Sequence, residues 1–322
     1  MKYMISVFVG AASYGVLSTF VVLAYGEGYK LGEVVGSQLM IGFLLSWLFA
    51  TYIERKQRKS ALSGKAGKDS GGDGLKQGLQ RLTWKTRLLL MAAGLPTAIT
   101  GLVYYHSLRY IPASLAILLL FQFTWIGVLV QCIRQKKRPN RAIITTLVIL
   151  LGGTILAAGI MEHGGGSFHP LGVTLGFLAA ISYTLFILFS GNAAPEVAPA
   201  TRSKWMMAGG MIFVFILFPP EFLWNGDLFS SLFLFGTLLG LFGAFIPPLL
   251  FAYGVPHIGE GMAGILGAAE LPVAVLLSSV VLHEQVSWLQ WAGVVLVLAG
   301  VSYPELIKLI KRSRRISSGV GA

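Results

Sequence analysis

The residues able to do chemistry in this sequence are few and sit inside apolar stretches. Glu270 stands at the centre of one such stretch, where an ionised carboxylate in a bilayer costs roughly 3 kcal/mol by insertion scales. Its expected role is a proton-coupling or cation-binding carboxylate facing a central cavity. The structural alternative is an acid bonded to a neighbouring helix hydroxyl, or to backbone freed by Pro272. Gln122, 148 residues earlier, takes the matching place in another apolar run. Ser13 and Tyr14 are central in the first run, and Ser182 and Tyr183 recur 169 residues later. Trp125 shares the face of Gln122 by i, i+3 spacing. Together Ser13, Tyr14, Gln122, Trp125, Ser182, Tyr183 and Glu270 could hydrogen-bond a small solute while ring faces cover its apolar parts. Singly, such residues also serve as packing or helix–helix bonding groups. Tyr104, Tyr105 and His106 end a run near an interface and read as an aromatic belt.

Composition says what must position these groups. Of 322 residues, 55% are hydrophobic and 12% charged, about half the usual charged share of a soluble domain. Mean hydropathy is +0.74. These values exclude an ordinary cytosolic enzyme. A net charge of +12 on so apolar a chain points to loops facing the cytoplasm rather than to nucleic acid. Cys132 is the single cysteine, so neither a disulfide framework nor a multi-cysteine metal site is expected. There is no Gly-x-Ser-x-Gly elbow, P-loop or His/Cys cluster, and no cofactor or metal is expected.

Windows of roughly 20 apolar residues give ten expected spans: 4–25, 34–53, 88–107, 110–131, 142–161, 170–190, 205–220, 231–252, 259–282 and 287–307. The first reads as a span and not a leader, having one Lys and no small-residue cleavage site. With both ends cytoplasmic, 23 of the 25 basic residues fall on the inner side, leaving Lys30 and Arg109 outside. Only Glu260, Glu270 and Glu305 among charged residues lie within spans, so the bundle interior is expected to hold no Lys or Arg. The stretch 60–74 reads as a flexible polar linker, and the glycines 164–166 as the link between two halves.

The offsets of 169 and 148 also pair Ala11 with Ala180, Phe20 with Phe189, Tyr105 with Tyr253 and Gly152 with Gly300. Each copy then holds five spans. An odd number inverts the second copy relative to the first, as in many carriers. The expected fold is an all-α integral membrane protein of ten transmembrane helices in two inverted five-helix repeats. The repeats cover 1–161, including a basic cytoplasmic loop at 54–87, and 162–310; a basic tail follows at 311–322.

The segment running from Glu270 through Pro272 and Glu284 to Gly293 resembles the second-half signature of EamA-like members of the drug/metabolite transporter superfamily. The first half carries Gln122 and Thr124 at the equivalent places. The resemblance implies secondary active transport by alternating access, with no cargo named. The expectation is export of a small organic solute, such as an amino acid or related metabolite, across the plasma membrane with proton coupling at Glu270. Its partners are the solute and the lipid bilayer, not nucleic acid, and it acts as a monomer or a homodimer. A lipid or lipid-linked flippase, or a non-transporting membrane sensor or assembly protein, remain open alternatives.

Overall fold

The computed structural model describes residues 1–62, 82–111, 113–157, 169–283, 286–301 and 303. Most of the polar linker, the glycines 164–166, Glu284, Glu305 and the 311–322 tail lie outside these residues. Every regular element among the described residues is helical. In chain order these are α1 (Lys2–Gly26), α2 (Leu31–Leu62), α3 (Trp84–Ser107), α4 (Ala113–Leu120 continuing as Phe123–Gln135) and α5 (Arg141–Ala157). Then come α6 (Pro170–Asn192), α7 (Pro199–Leu217), α8 (Ser231–Ile258), α9 (Glu260–Val281) and α10 (Trp288–Val301).

Of the ten spans expected, seven have the length and apolarity to cross a membrane: α1, α2, α3, α4, α6, α8 and α9. The apolar helices α5 and α10 are shorter among the described residues. Helix α8 runs to Ile258 rather than 252, and α2 and α7 also depart from their expected bounds. Helix α2 runs to Leu62 instead of ending at 53. Residues 54–62 are good helix formers with no Gly or Pro to stop them, so the start of the basic loop is helical. Helix α7 begins at Pro199 and stops at Leu217 rather than covering 205–220. Proline at the first position pre-sets the helical backbone, while Pro219-Pro220 cannot continue it.

Four of the helices are interrupted midway, and each break has a local cause. In α1 the ladder tightens at Gly15, whose N–H bonds Ala12 O at 3.2 Å. In α9 the turn at Ala268–Ala269 precedes Pro272, which has no N–H to offer the carbonyl four residues back. In α8 a π turn over Gly240–Phe245 precedes Pro247-Pro248, whose missing donors loosen the same stretch. Helix α4 tightens at Phe121–Gln122 without Gly or Pro. There the Gln122 Nε2 donates to Leu118 O at 2.9 Å, occupying a carbonyl that the backbone has released. The breaks in α4 and α9 lie within one residue of the 148-residue offset.

Packing pairs α1 with α8 and α6 with α3; likewise α2 with α8 and α7 with α3. Three serines lace these contacts, and the first, Ser6 of α1, donates to Leu250 O of α8 at 2.8 Å. Ser13 donates to Phe242 O in the π turn of α8, and Ser182 donates to Pro96 O in α3, both at 2.8 Å. Some crossings are closer than any side chain allows. A Cβ on Gly94 would overlap the Met206 carbonyl, and one on Gly209 that of Met91, so α3 and α7 meet backbone to backbone. Gly293, part of the signature segment, meets Gly153 O and Ala157 N in the same way where α10 crosses α5.

Candidate functional site

The interrupted helices converge on a cavity at mid-bundle. Its walls include Tyr14 and Ser18 of α1, Gln38 of α2, Thr97, Thr100, Tyr104 and Tyr105 of α3, and Phe121 of α4. Tyr183 and Phe186 of α6, Gly243 of α8, and Glu270 with Ala274 of α9 complete it. The breaks explain the convergence, since each lets a helix bend around the space instead of filling it. About 60 Å³ is open, room for a few waters at roughly 10–15 Å³ each. An organic solute needs the helices to part.

Glu270 is half-buried at the first turn after the α9 break, with its side chain in the cavity wall. Among the described residues none donates a hydrogen bond or an ion pair to its carboxyl group. It lies near enough to interact electrostatically with four tyrosines: Tyr14, Tyr104, Tyr105 and Tyr183. The Tyr183 hydroxyl and the Thr97 Oγ1 are also buried without a hydrogen-bond partner. Tyr105 is engaged, donating to Gln38 Oε1 at 3.1 Å. Gly15 holds the site close, because a Cβ there would strike the Glu270 carbonyl oxygen.

The cavity floor is aromatic. Tyr183 packs edge-on against Phe123 at 4.5 Å and Tyr14 at 5.6 Å, and Phe186 contacts Phe251 at 5.5 Å between ring centroids. Beyond the floor, at the end of the bundle that carries the basic residues, polar links join the two halves. Glu260 at the start of α9 accepts from Arg134 of α4 and, at 2.8 Å, from Asn192 Nδ2 of α6. Gln131 accepts from the Gly261 N–H at 3.0 Å. Lys204 of α7 pairs with Glu54 of α2 at 3.2 Å. At the opposite end, Tyr29 bonds Ser230 and Ser231 at 2.8 Å, and Ser231 donates to Glu27.

Of the residues singled out in sequence, Tyr14, Tyr183 and Glu270 come together in the cavity wall. The other four lie off it. Ser13 and Ser182 spend their hydroxyls on carbonyls of opposing helices. Gln122 fills the gap in its own helix, and Trp125 donates to the Gln122 Oε1 at 2.8 Å. Tyr104 and Tyr105 are 7% and 2% exposed, so they are cavity residues rather than an interfacial belt. Thr97, Thr100, Gly101 and Tyr104 follow one face of α3 by i, i+3, i+4 and i+7 spacing, a signal present in the sequence. The expectation that the interior holds no Lys or Arg fails at Arg202, which is 1% exposed. It donates to Ala252 O of α8, while its Nε and Nη1 have no hydrogen-bond partner. The earlier start of α7 brings it into the bundle, away from the cavity wall.

Comparison with known proteins agrees with this architecture. Residues 170–303, from α6 into α10, match the EamA-like transporter family. The chain is 24% identical over 232 residues to the uncharacterized transporter sll1319 of Synechocystis sp., covering 71% of this chain and 68% of that one. It is 27% identical over 191 residues to the uncharacterized transporter YetK of Bacillus subtilis, spanning 55% of this chain and about half (54%) of that protein. A solved crystal structure superposes with a TM-score of 0.65 at 17% identity, over 94% of this chain and 98% of the other. That likeness is one of fold. An EamA-like match over α6–α10, relatives named as transporters and helices of membrane-crossing length support a multi-pass membrane protein similar to the EamA-like members of the drug/metabolite transporter superfamily.

Proposed function

We propose that the protein is a secondary transporter that moves a small organic solute, an amino acid or related metabolite, through the mid-bundle cavity by alternating access. The direction is export across the plasma membrane, with both chain ends cytoplasmic. The observation that carries this reading is Glu270: a carboxyl group with no partner among the described residues, in a cavity where four helices are interrupted. A purely structural acid at this depth of a membrane would pair with a neighbouring polar group. A group that takes and releases a proton or a cargo must leave its bonding capacity free.

Ten membrane crossings in two inverted repeats fit the packing. The pairs α1–α8 and α6–α3, with the serine-to-carbonyl bonds of Ser13 and Ser182, are what a pseudo-two-fold axis would generate. Helices α5, α7 and α10 complete the count on this reading. A flippase for anionic headgroups would want cationic groups at the cavity, and its described walls carry neither Lys nor Arg.

Reconstituted into liposomes, the protein should show solute flux driven by a pH gradient. Glu270→Gln should abolish the pH-driven component and retain solute exchange. Undiminished pH-driven uptake in that variant overturns the coupling role. Absence of flux across a broad metabolite panel overturns transport.

A further inference from the structure

The cavity's inventory of groups narrows the cargo. Its walls contain one acid, Glu270, and no Lys, Arg or His. The remaining polar groups are hydroxyls and the Gln38 amide, whose Oε1 is taken by Tyr105. Three groups stand without a hydrogen-bond donor among the described residues: the Glu270 carboxyl group, the Tyr183 hydroxyl and the Thr97 Oγ1. An ammonium group has three donors and no acceptor, so it complements three waiting acceptors. Rings of Tyr14, Tyr104, Phe121 and Phe186 surround the same space and offer π faces to a cation or to an apolar substituent.

A carboxylate or phosphate on the solute could accept from the same hydroxyls but would lack charge compensation. It would enter a low-dielectric space beside Glu270 with no cation in the wall to offset it. A zwitterionic amino acid therefore places one end well and the other badly. We infer that the cargo is a small organic amine in its cationic form, without a carboxylate, bound by its ammonium to Glu270 and by its apolar part to the tyrosine-rich wall. This rests on the transporter reading and narrows its cargo to amines related to amino acids, leaving out the amino acids themselves.

Three compounds that share a ring and differ in charge make the test: 2-phenylethylamine (cation), phenylalanine (zwitterion) and phenylacetate (anion). With the purified full chain in detergent, thermal stabilisation gives affinity; in proteoliposomes, counterflow gives transport. The amine should stabilise the wild type and the other two should not. Glu270→Gln should weaken the amine roughly 30-fold, as loss of one partner of a buried charge pair does. Should that variant fail to fold, Tyr183→Phe loses only a hydroxyl and should weaken the amine about 5- to 10-fold. Phenylalanine or phenylacetate binding as tightly as the amine overturns the inference, as does binding of none of the three. Unchanged amine affinity in both variants also overturns it. Amine binding without counterflow leaves the site standing and overturns transport. Counterflow of phenylalanine in place of the amine does the opposite.

Discussion

Two residues of similar promise in sequence have opposite duties in the fold, and their substitution separates site from scaffold. Gln122 spends its amide on Leu118 O and its carbonyl oxygen on Trp125 Nε1. Gln122→Leu would leave both partners without a bond inside the bundle. The expected cost is about 1–2 kcal/mol of stability, seen as a lower unfolding temperature, with solute affinity nearly unchanged. The Tyr183 hydroxyl, by contrast, has no hydrogen-bond partner among the described residues. Tyr183→Phe removes an unsatisfied buried group, so stability should hold or rise slightly while solute affinity falls. Thermal unfolding with and without a bound solute checks both. A fall in stability for Tyr183→Phe would place its hydroxyl in the scaffold. Loss of affinity for Gln122→Leu at unchanged stability would return Gln122 to the site.

Helix breaks, more than helix faces, shape the cavity, and Gly15 is where one break touches the site. A Cβ there meets Glu270 O and the Val273 side chain, so Gly15→Ala must push α1 away from α9. Overpacking of this kind costs about 1–3 kcal/mol, and the displacement should weaken solute binding as well. Gly26, at the end of the same helix, has open space around it. Gly26→Ala should be neutral or slightly stabilising. Equal unfolding temperatures for the two variants would remove the close approach as an explanation. These elements also show what the sequence made legible. Pro272 and Pro247-Pro248 announce breaks in α9 and α8, since the missing N–H is written in the residue type. The break in α4 is closed by Gln122, a residue with no such mark, and only the repeat offset pointed at it. Depth along a helix can be counted, and it puts Glu270, Tyr14 and Tyr183 at one level, where all three line the cavity wall. Depth alone misleads for Tyr104 and Tyr105, which end their helix yet line the cavity, and it does not show that Ser13 turns to the carbonyl of Phe242. Arg202 was misjudged for another reason: its burial depends on where α7 starts, a boundary that hydropathy blurs and Pro199 decides.

The two ends of the molecule are closed by different means, and the difference predicts how it opens. At the end bearing the basic residues, Arg134–Glu260–Asn192 and Lys204–Glu54 tie α4, α6 and α9 together and α2 to α7. Behind them lies the ring stack of Phe123, Tyr183, Phe186 and Phe251. The cavity sits on the far side of that stack, nearer the end held by Tyr29 and Glu27 with two serines. Arg134–Glu260 and Lys204–Glu54 each join a residue before 161 to one after 162, so on an alternating-access reading these two must break when the halves part at that end. Arg134 is half-exposed, with its side chain 48% accessible, which screens its pairing. The link is therefore a modest lock, one that conformational change can release. Glu260 is more deeply set, its side chain 10% accessible, and loses its cationic partner when Arg134 is removed. Arg134→Ala should shift the population toward the inward-open state by about tenfold, or ~1.4 kcal/mol. A reporter cysteine in place of Ser190, buried in α6 near Asn192, with Cys132→Ser to remove the native thiol, makes the shift measurable. Its labelling by a membrane-impermeant maleimide from the basic end should quicken about tenfold in Arg134→Ala. Labelling from the opposite end should slow or stay the same. Equal acceleration from both ends would mean general loosening of the bundle and would remove the Arg134–Glu260 link as a gate.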